Sequence, residues 1–286
     1  MSVYIGLDIG GTKLMVAAAD AAGRMLRRVR EPTPLGLDEG LGRLHQMIAQ
    51  VAEGEAIAGI GAAVGGPLDV RRGVVSPLHQ PQWRDVPLKA LMEARWGCPF
   101  CVDVDTNVAA VGEYVAGAAV SRLLYLTLST GMGGGFLIDG KIYAGAQGAH
   151  PEVGHQAIPY RCAFPERVAC ECGAPGCLEA LISGNGIRRI YGKAAEHLSD
   201  AEWSEVAYNL GQGLRNLATI YAPDMIILGG GVAVGGGERL LDVSRQVMAS
   251  GLRLVPVPEL RLSQLGYDTA LRGALEIARP RDHTSS

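Results

Sequence analysis

The sequence predicts an α/β protein built from two similar halves. Short apolar runs of strand type alternate with segments whose apolar residues recur every three or four positions, as expected for strands between helices. The strand–turn–strand order at the amino terminus returns in weaker form from Leu123 onward. The length of 286 residues is sufficient for two modest domains, each with its own core.

The first half is predicted to begin with a hairpin and a third strand. Its elements, in order, are strands at 3–7, 14–19 and 25–29, a helix at 37–51, a strand at 57–64, a Gly65-Gly66-Pro67 break, a long loop to about Trp83, a helix at 87–96, a strand at 100–104 and a helix at 107–115. The helix at 37–51 follows from Leu37, Leu41, Leu44, Ile48 and Val51, which share one helical face.

The second half repeats the same order of elements. Its predicted elements are strands at 124–128 and 136–138, a third strand after Asp139-Gly140, a helix at 206–221 and a strand at 225–228. Two halves on one plan predict a duplicated fold with a ligand cleft between them.

Composition excludes several classes of protein. A net charge of −3 provides no basic surface, so nucleic acid is not an expected partner. No segment resembles a signal peptide or a membrane span, and the predicted location is therefore cytoplasmic. Glycine is about twice as frequent as average, at 40 residues, which indicates tight turns where backbone approaches a ligand.

Three glycine-rich turns at strand ends favour a nucleotide site. They are Asp8-Ile9-Gly10-Gly11-Thr12-Lys13, Ser129-Thr130-Gly131-Met132-Gly133-Gly134-Gly135 and Gly229-Gly230-Gly231. Backbone N–H groups and a lysine can bind phosphate oxygens. The first turn lacks the Walker A spacing, and a plain hairpin with a solvated Lys13 remains an alternative for it.

A histidine and three cysteines predict a metal site. Cys170, Cys172 and Cys177 lie close together in sequence, with His155 upstream, and one nitrogen with three sulfurs suits a closed tetrahedral Zn²⁺ site. Free buried thiols are the alternative. Cys162 is the competing ligand, whereas Cys98 and Cys101 are expected in the core.

Three acidic residues are candidates for chemistry. Asp105 follows the strand at 100–104 and precedes a helix, so it is either a helix-starting charge or a general base at a strand's carboxyl end. Glu152 and Glu179 flank the predicted metal loop, and a metal that folds this loop would bring both carboxylates close enough to hold substrate hydroxyls.

Together these motifs resemble the ROK family of sugar kinases and related repressors, over nearly the whole chain to about Ala278. Asp8–Lys13 and Leu128–Gly135 resemble the family's two phosphate motifs. Glu152-Val153-Gly154-His155 with Cys170–Glu179 resembles its zinc-and-sugar signature. Ile227–Val232 is similar to its nucleotide-side glycine run.

The resemblance implies a hexokinase/actin-like (ribonuclease H-like) fold and a homodimer that phosphorylates a hexose with ATP and Mg²⁺. It implies Asp105 as catalytic base and structural Zn²⁺ on His155, Cys170, Cys172 and Cys177. The expected substrate contacts are Gly66, Asn107, Glu152, His155 and Glu179. Asp8 would help to organise Mg²⁺, and the remaining nucleotide contacts would be Gly10, Gly11, Thr12, Lys13, Thr130, Gly131, Gly133, Gly134, Gly229, Gly230 and Gly231. The expected domains are 1–107, joined by a carboxyl-terminal helix at about 268–280, and 108–267, which carries the zinc loop and the dimer surface.

Three departures from the family pattern concern the sugar. Val104 stands where the family commonly has asparagine, and the loop 77–83 lacks the family's sugar-contacting asparagine, which leaves His79 or Gln80 to replace it. His150-Pro151 resembles the fructokinase branch.

The hypothesis is phosphorylation of glucose at O6. Its alternatives are a fructokinase, an N-acetylhexosamine or N-acetylmannosamine kinase, and a non-catalytic sugar-binding protein. A sugar-sensing repressor would carry a DNA-binding segment before the first phosphate motif, and Asp8 is already the eighth residue.

Overall fold

The computed structural model describes residues 2–280. The helices and strands, in chain order, are β1 (Ser2–Ile9), β2 (Lys13–Ala19), β3 (Met25–Pro32), α1 (Leu37–Ala52), β4 (Ala56–Val64), β5 (Leu68–Asp69), β6 (Val74–Val75), α2 (Leu88–Trp96), β7 (Phe100–Val104), α3 (Asp105–Val115), β8 (Arg122–Leu128), β9 (Met132–Ile138), β10 (Lys141–Ile142), α4 (Leu178–Ile182), α5 (Gly184–Tyr191), α6 (Asp200–Tyr221), β11 (Met225–Gly229), α7 (Gly231–Gly251), β12 (Glu259–Leu262) and α8 (Thr269–Ile277).

The described chain divides into two compact units. The first contains residues 2–117, 146–149 and 268–280, and the second contains residues 118–145 and 150–267. The sequence placed the end of the amino-terminal segment at 107. The first unit extends to Gly117 and includes α3, because α3 packs along α8.

The two units share one sheet topology. The first sheet has the order β3-β2-β1-β4-β7 and the second has the order β10-β9-β8-β11-β12. In each, an antiparallel meander of three strands is extended by two parallel strands. This shared topology confirms the predicted duplication and the α/β class.

Each unit has its own apolar core. In the first, β1, β4 and α1 bury side chains such as Ile5, Ile60 and Ile48 around Trp83. In the second, α6 packs along α7 and contributes the buried Trp203 to a cluster that includes residues of β8 and β11. Burial of such clusters stabilises a fold by about 25 cal/mol per Å² of apolar surface removed from water.

The carboxyl ends of three parallel strands meet at one edge of the first sheet. Val64 of β4 pairs with both Ile9 of β1 and Val104 of β7. The chain therefore leaves this edge at Gly10, Gly65 and Asp105. Ligands of α/β proteins gather at such edges. The fold thus places three of the predicted site segments together.

Glycines allow α8 to approach the first sheet and α3 closely. A Cβ atom at Gly61 would lie 2.1 Å from the carbonyl oxygen of Ala274. A Cβ atom at Gly273 would lie 1.7 Å from the carbonyl oxygen of Val108, in α3. Helix α3 begins with Asp105, so the α3–α8 contact helps to fix the position of that carboxylate.

Replacement of Gly273 by alanine is expected to destabilise the protein. The new methyl group would overlap a backbone carbonyl of α3, and overpacking of this kind costs about 1–3 kcal/mol or more. Thermal or urea unfolding measures the change. Gly42→Ala is the matched control, because the corresponding Cβ in α1 meets nothing within 4 Å and alanine favours a helix. Equal stability of the two variants would contradict the prediction.

Candidate functional site

The turn between β1 and β2 presents free backbone donors. Gly10 N–H donates to the Lys13 carbonyl, and the Thr33 hydroxyl donates to the Gly10 carbonyl. The N–H groups of Gly11 and Thr12 donate to no acceptor within residues 2–280. Both residues are exposed, so their N–H groups can donate hydrogen bonds to a phosphate oxygen.

Asp8 is a half-buried carboxylate that lies close to a second acid. Burial raises the pKa of Asp8 to about 7, the Lys13 ammonium opposes this rise in pKa, and the negative charge of Asp105 adds to it. The two carboxylates therefore repel each other at the same sheet edge. A hard divalent cation with oxygen ligands would relieve this repulsion.

Asp105 is the first residue of α3 and is exposed. Its Oδ1 accepts a hydrogen bond of 2.8 Å from Thr106 N–H. Asp103, the other acid nearby, instead accepts from Asn107 Nδ2 at 2.9 Å and from Val104 N–H at 2.7 Å. Asp103 therefore orients Asn107, whereas Asp105 presents its carboxylate to solvent.

Several polar atoms near these residues are buried without a partner. Asn107 Oδ1 and Thr106 Oγ1 have no hydrogen-bond partner within the described residues. Because Asp103 fixes the Asn107 amide nitrogen, the free atom of that side chain is an acceptor. Buried polar groups rarely remain unpaired, so these atoms are candidates for ligand contacts.

The loop 77–83 lies over the first glycine turn. Leu78 N–H donates to the Gly66 carbonyl at 3.0 Å, and a Cβ at Gly11 would lie 2.8 Å from Cβ of His79. Arg84 Nη1 donates to the carbonyl of Pro77 at 2.8 Å. Gln80 is 5% exposed, and neither atom of its amide has a partner within residues 2–280.

The second glycine-rich turn connects β8 and β9 in the second unit. Ser129 N–H donates to the Gly131 carbonyl at 2.9 Å, and Met132 N–H donates to Glu179 Oε2 at 2.8 Å. The N–H groups of Thr130 and Gly131 have no acceptor within the described chain. Like the first turn, this turn therefore has two adjacent backbone N–H groups that can donate to a ligand.

The remaining glycines of the predicted nucleotide site have different surroundings. Gly134 is buried in β9, where a Cβ would lie 2.7 Å from Val153, and Gly229 leaves space for the Tyr125 hydroxyl. Close packing explains why glycine stands at both positions, and both residues are buried. Gly230 has a φ of +89° and Gly231 is the exposed first residue of α7, whose free N–H groups suit a phosphate.

His155, Cys170, Cys172 and Cys177 form one cluster. Their ligand atoms all lie within 4.8 Å of one another, with His155 Nδ1 3.4 Å from Cys170 Sγ and Cys172 Sγ 3.5 Å from Cys177 Sγ. The Ala174 N–H lowers the pKa of Cys172 to about 7, whereas burial raises the pKa of Cys177 to about 12. One nitrogen and three sulfurs at these distances fit a tetrahedral metal ion.

The other cysteines lie outside this cluster. Cys162 is half-buried and does not belong to it. Cys98 is buried as expected, but the prediction that Cys101 is a core residue is wrong. In β7, side chains alternate between a buried and a more open face, and Cys101 lies on the open face with Asp103.

Glu152 lies beside the free side of His155. Its Oε2 is 3.9 Å from His155 Nε2, and its Oε1 is 3.5 Å from His150 Nε2. His155 Nδ1 faces the cysteines, so Nε2 is the nitrogen left for another ligand. Gly154 packs against Cβ of Glu179, which brings that carboxylate to the same loop.

Sequence reasoning missed two contacts at these sites. One is the hydrogen bond by which Asp103 orients Asn107, and the other is the hydrogen bond from Met132 to Glu179. The first could have been suspected from the i, i+4 spacing of the two residues. The second joins residues 47 positions apart and has no local signal.

Comparison with known proteins agrees with these features. Residues 4–281 match the ROK family profile. The chain belongs to the ROK family. A glucokinase from Streptomyces coelicolor is 30% identical, over 99% of each chain, and a fructokinase from Zymomonas mobilis is 34% identical, over 85% of this chain and 84% of its own.

Structural comparison gives the same fold. The ROK glucokinase from Streptomyces griseus, in complex with glucose and AMPPNP, is 30% identical and superposes with a TM-score of 0.78, over 96% of this chain and 99% of its own. This confirms the predicted hexokinase/actin-like fold. The family also contains repressors, such as the xylose repressor of Caldicellulosiruptor bescii, 26% identical over 85% of this chain and 69% of its own. No helix among residues 2–280 is long and apolar enough to span a bilayer.

Proposed function

We propose that this ROK family member is an ATP-dependent hexose kinase that phosphorylates O6 of glucose. The observation that carries the proposal is the exposed Asp105 carboxylate at the carboxyl edge of the first sheet, beside a second acid and a turn with free N–H donors. A repressor or a sugar-binding protein needs no exposed carboxylate beside phosphate-type donors.

Asp105 acts as the general base. Its carboxylate accepts the proton of the sugar O6 hydroxyl while that oxygen forms a bond to the γ-phosphorus of ATP. The bond between the γ-phosphorus and its bridging oxygen breaks, and ADP leaves with the electron pair. Thr106 N–H donates to Oδ1 of Asp105 and so helps to hold the carboxylate in place at the start of α3.

The two glycine-rich turns bind the phosphates. Free N–H groups at Gly11, Thr12, Thr130 and Gly131 donate to phosphate oxygens without rearrangement. Mg²⁺ fits at Asp8, whose carboxylate is destabilised by the negative charge of Asp105, and when bound it would neutralise phosphate charge. Gly10, Lys13, Gly230 and Gly231 complete the proposed nucleotide contacts.

The Cys–His cluster holds Zn²⁺ in this proposal, because its donor set and spacing suit zinc better than a hard cation. The sugar hydroxyls are held by Glu152, by Nε2 of His155 and by the oxygen of Glu179 that Met132 leaves free. Gly66 and Asn107 are the contacts from the first unit. His155 thus serves both ligands through its two nitrogens.

Gln80 replaces the asparagine that the loop 77–83 lacks. Its amide is buried and unpartnered in the described chain, and its loop is fixed to Gly66 on one side and lies against Gly11 on the other. A ligand hydroxyl would satisfy both the amide oxygen and the amide nitrogen. We expect this side chain to contribute to the choice of sugar.

Replacement of Gln80 by leucine is expected to lower kcat/KM for the sugar about tenfold or more without loss of stability. The loss of one substrate hydrogen bond reduces binding, whereas removal of a buried unpaired amide by a group of similar size is neutral or stabilising. Steady-state kinetics and thermal unfolding measure the two effects. Gln82→Leu, at an exposed position of the same loop, is the control. Unchanged sugar kinetics in Gln80→Leu would reject this role.

A coupled assay of ADP release with a panel of hexoses tests the proposed function. Glucose is the expected substrate. Fructose is the second candidate, because His150 lies 3.5 Å from Glu152 at the predicted sugar site, and an N-acetylhexosamine is the third. Tight nucleotide binding with turnover of no sugar would favour the non-catalytic alternative. The homodimer and the cytoplasmic location stay predictions.

A further inference from the structure

The Cys–His cluster is joined by short contacts to the second glycine-rich turn, residues 129–132. We propose that metal occupancy of the cluster sets the affinity of this turn for nucleotide, and that Glu179 is the positioning residue between them. The inference rests on the proposed nucleotide site. It goes further, because it gives the metal a regulatory effect in addition to its role in folding.

The first connection is the Glu179 carboxylate. Its Oε2 accepts from Met132 N–H at 2.8 Å, and a Cβ at Gly131 would lie only 2.9 Å from the same oxygen. The turn therefore packs directly on this carboxylate. A shift of Glu179 would move the N–H group of Gly131, which is one of the two free donors.

The second connection is the start of α5. Gly184 N–H donates to the Ser129 carbonyl at 2.7 Å, and Asn185 N–H donates to the Thr130 carbonyl at 3.0 Å. These carbonyls belong to the peptide groups that carry the N–H of Thr130 and of Gly131. Helices α4 and α5 thus orient both free donors of the turn.

The third connection leads from these helices to the cluster. Cys177 directly precedes α4, and Leu178 N–H donates to the Gln156 carbonyl at 3.0 Å. On the other side, His155 follows Gly154, where a Cβ would lie 2.9 Å from the Met132 carbonyl oxygen. A metal ion that holds His155 to Cys177 would therefore clamp the two segments that enclose the turn.

Such a link must be reciprocal. If bound metal raises the affinity of the turn for nucleotide, bound nucleotide must raise the affinity of the cluster for metal by the same factor. Coupling between two sites is typically about 5–150-fold. We expect each ligand to change the affinity for the other at least fivefold, because the N–H groups of Thr130 and Gly131 lose their orientation together when the metal is absent.

The experiment measures Zn²⁺ affinity of the purified protein by competition with a chromophoric chelator, with and without ADP and excess Mg²⁺. No sugar is present, so hydroxyl contacts of Glu179 do not contribute. We expect ADP to raise the Zn²⁺ affinity at least fivefold. A change of less than twofold, although ADP binds, would overturn the inference but not the proposed function. Absence of ADP binding would overturn both.

Asn185→Pro distinguishes this link from stabilisation of the whole fold. It removes the N–H that holds the Thr130 carbonyl, at the second residue of α5, where the N–H has no partner within the helix. The parent and the variant are compared with ADP at the same multiple of the ADP dissociation constant of each protein. If ADP raised the Zn²⁺ affinity only because it stabilises the folded state as a whole, the effect would persist in this variant. We expect the coupling to fall below twofold in Asn185→Pro and to persist in Asn185→Ala, which keeps the N–H.

Glu179 provides an independent pair of variants in case the proline prevents folding. Glu179→Gln keeps an oxygen that accepts from Met132 N–H, whereas Glu179→Leu removes it. We expect the ADP–Zn²⁺ coupling to persist in the first variant and to disappear in the second. Equal coupling in both would overturn the assignment of Glu179 as the positioning residue.

Discussion

Replacement of Asp105 by asparagine is expected to lower kcat at least 100-fold while the fold and the bound metal remain unchanged. General-base catalysis typically contributes about 10²–10⁴-fold to the rate, and the amide cannot accept the hydroxyl proton. Asparagine keeps the size of the side chain and an oxygen that accepts from Thr106 N–H, so α3 still begins in the same way. The sugar KM should change less than kcat, because Glu152, His155 and Glu179 are intact.

Asp103→Asn is the matched control for this prediction. Its amide oxygen can still accept from Val104 N–H and from Asn107 Nδ2, so we expect less than a tenfold loss of kcat. Steady-state kinetics, circular dichroism and metal content are measured for both variants. If Asp105→Asn retains kcat within about threefold of the parent, that carboxylate is not the base. A large loss in Asp103→Asn alone would move the role to Asp103.

Much of the strand plan could be predicted because each strand is a contiguous apolar run next to a glycine turn. Helix α7 and strand β12 were not predicted. Helix α7 begins in a glycine run and changes direction at Gly237, where φ is +56°, so its first turns lack a regular apolar face. The predicted long loop also contains a hairpin, β5 and β6, of only two residues per strand. Such short strands depend on tertiary contacts.

The candidate site shows the same division between local and distant signals. The Cys–His cluster could be predicted because the three cysteines lie within eight residues of sequence. The sequence could not separate the glycines of the nucleotide site from those required by packing. Gly131 belongs to a turn with free N–H donors, whereas Gly134 is a glycine because the core leaves no room for a Cβ atom. Contacts between distant segments determine which oxygen of Glu179 accepts from Met132 N–H and why the Gln80 amide has no partner within residues 2–280.

Removal of one metal ligand is expected to have the largest effect on stability. In Cys177→Ser the cluster keeps three donors, and we expect the protein to lose its Zn²⁺ during purification, whereas the parent retains about one ion per chain. Structural zinc binds zinc-finger peptides with about 10–16 kcal/mol, which is comparable to the net stability of a whole domain, about 5–15 kcal/mol. Even partial loss of this binding free energy should measurably lower the stability of the second unit.

The expected decrease is about 3 kcal/mol or more, which corresponds to roughly 6–12 °C in the unfolding midpoint of a domain of about 150–250 residues. Elemental analysis and thermal unfolding measure the two losses. Cys101→Ser is the matched control, because that thiol is exposed and lies outside the cluster. A parent protein without zinc, or a Cys177→Ser variant as stable as Cys101→Ser, would contradict a structural metal here. Because Cys177 precedes the helix that carries Glu179, loss of the metal should first loosen residues 129–132 and 153–155, which amide hydrogen exchange can locate.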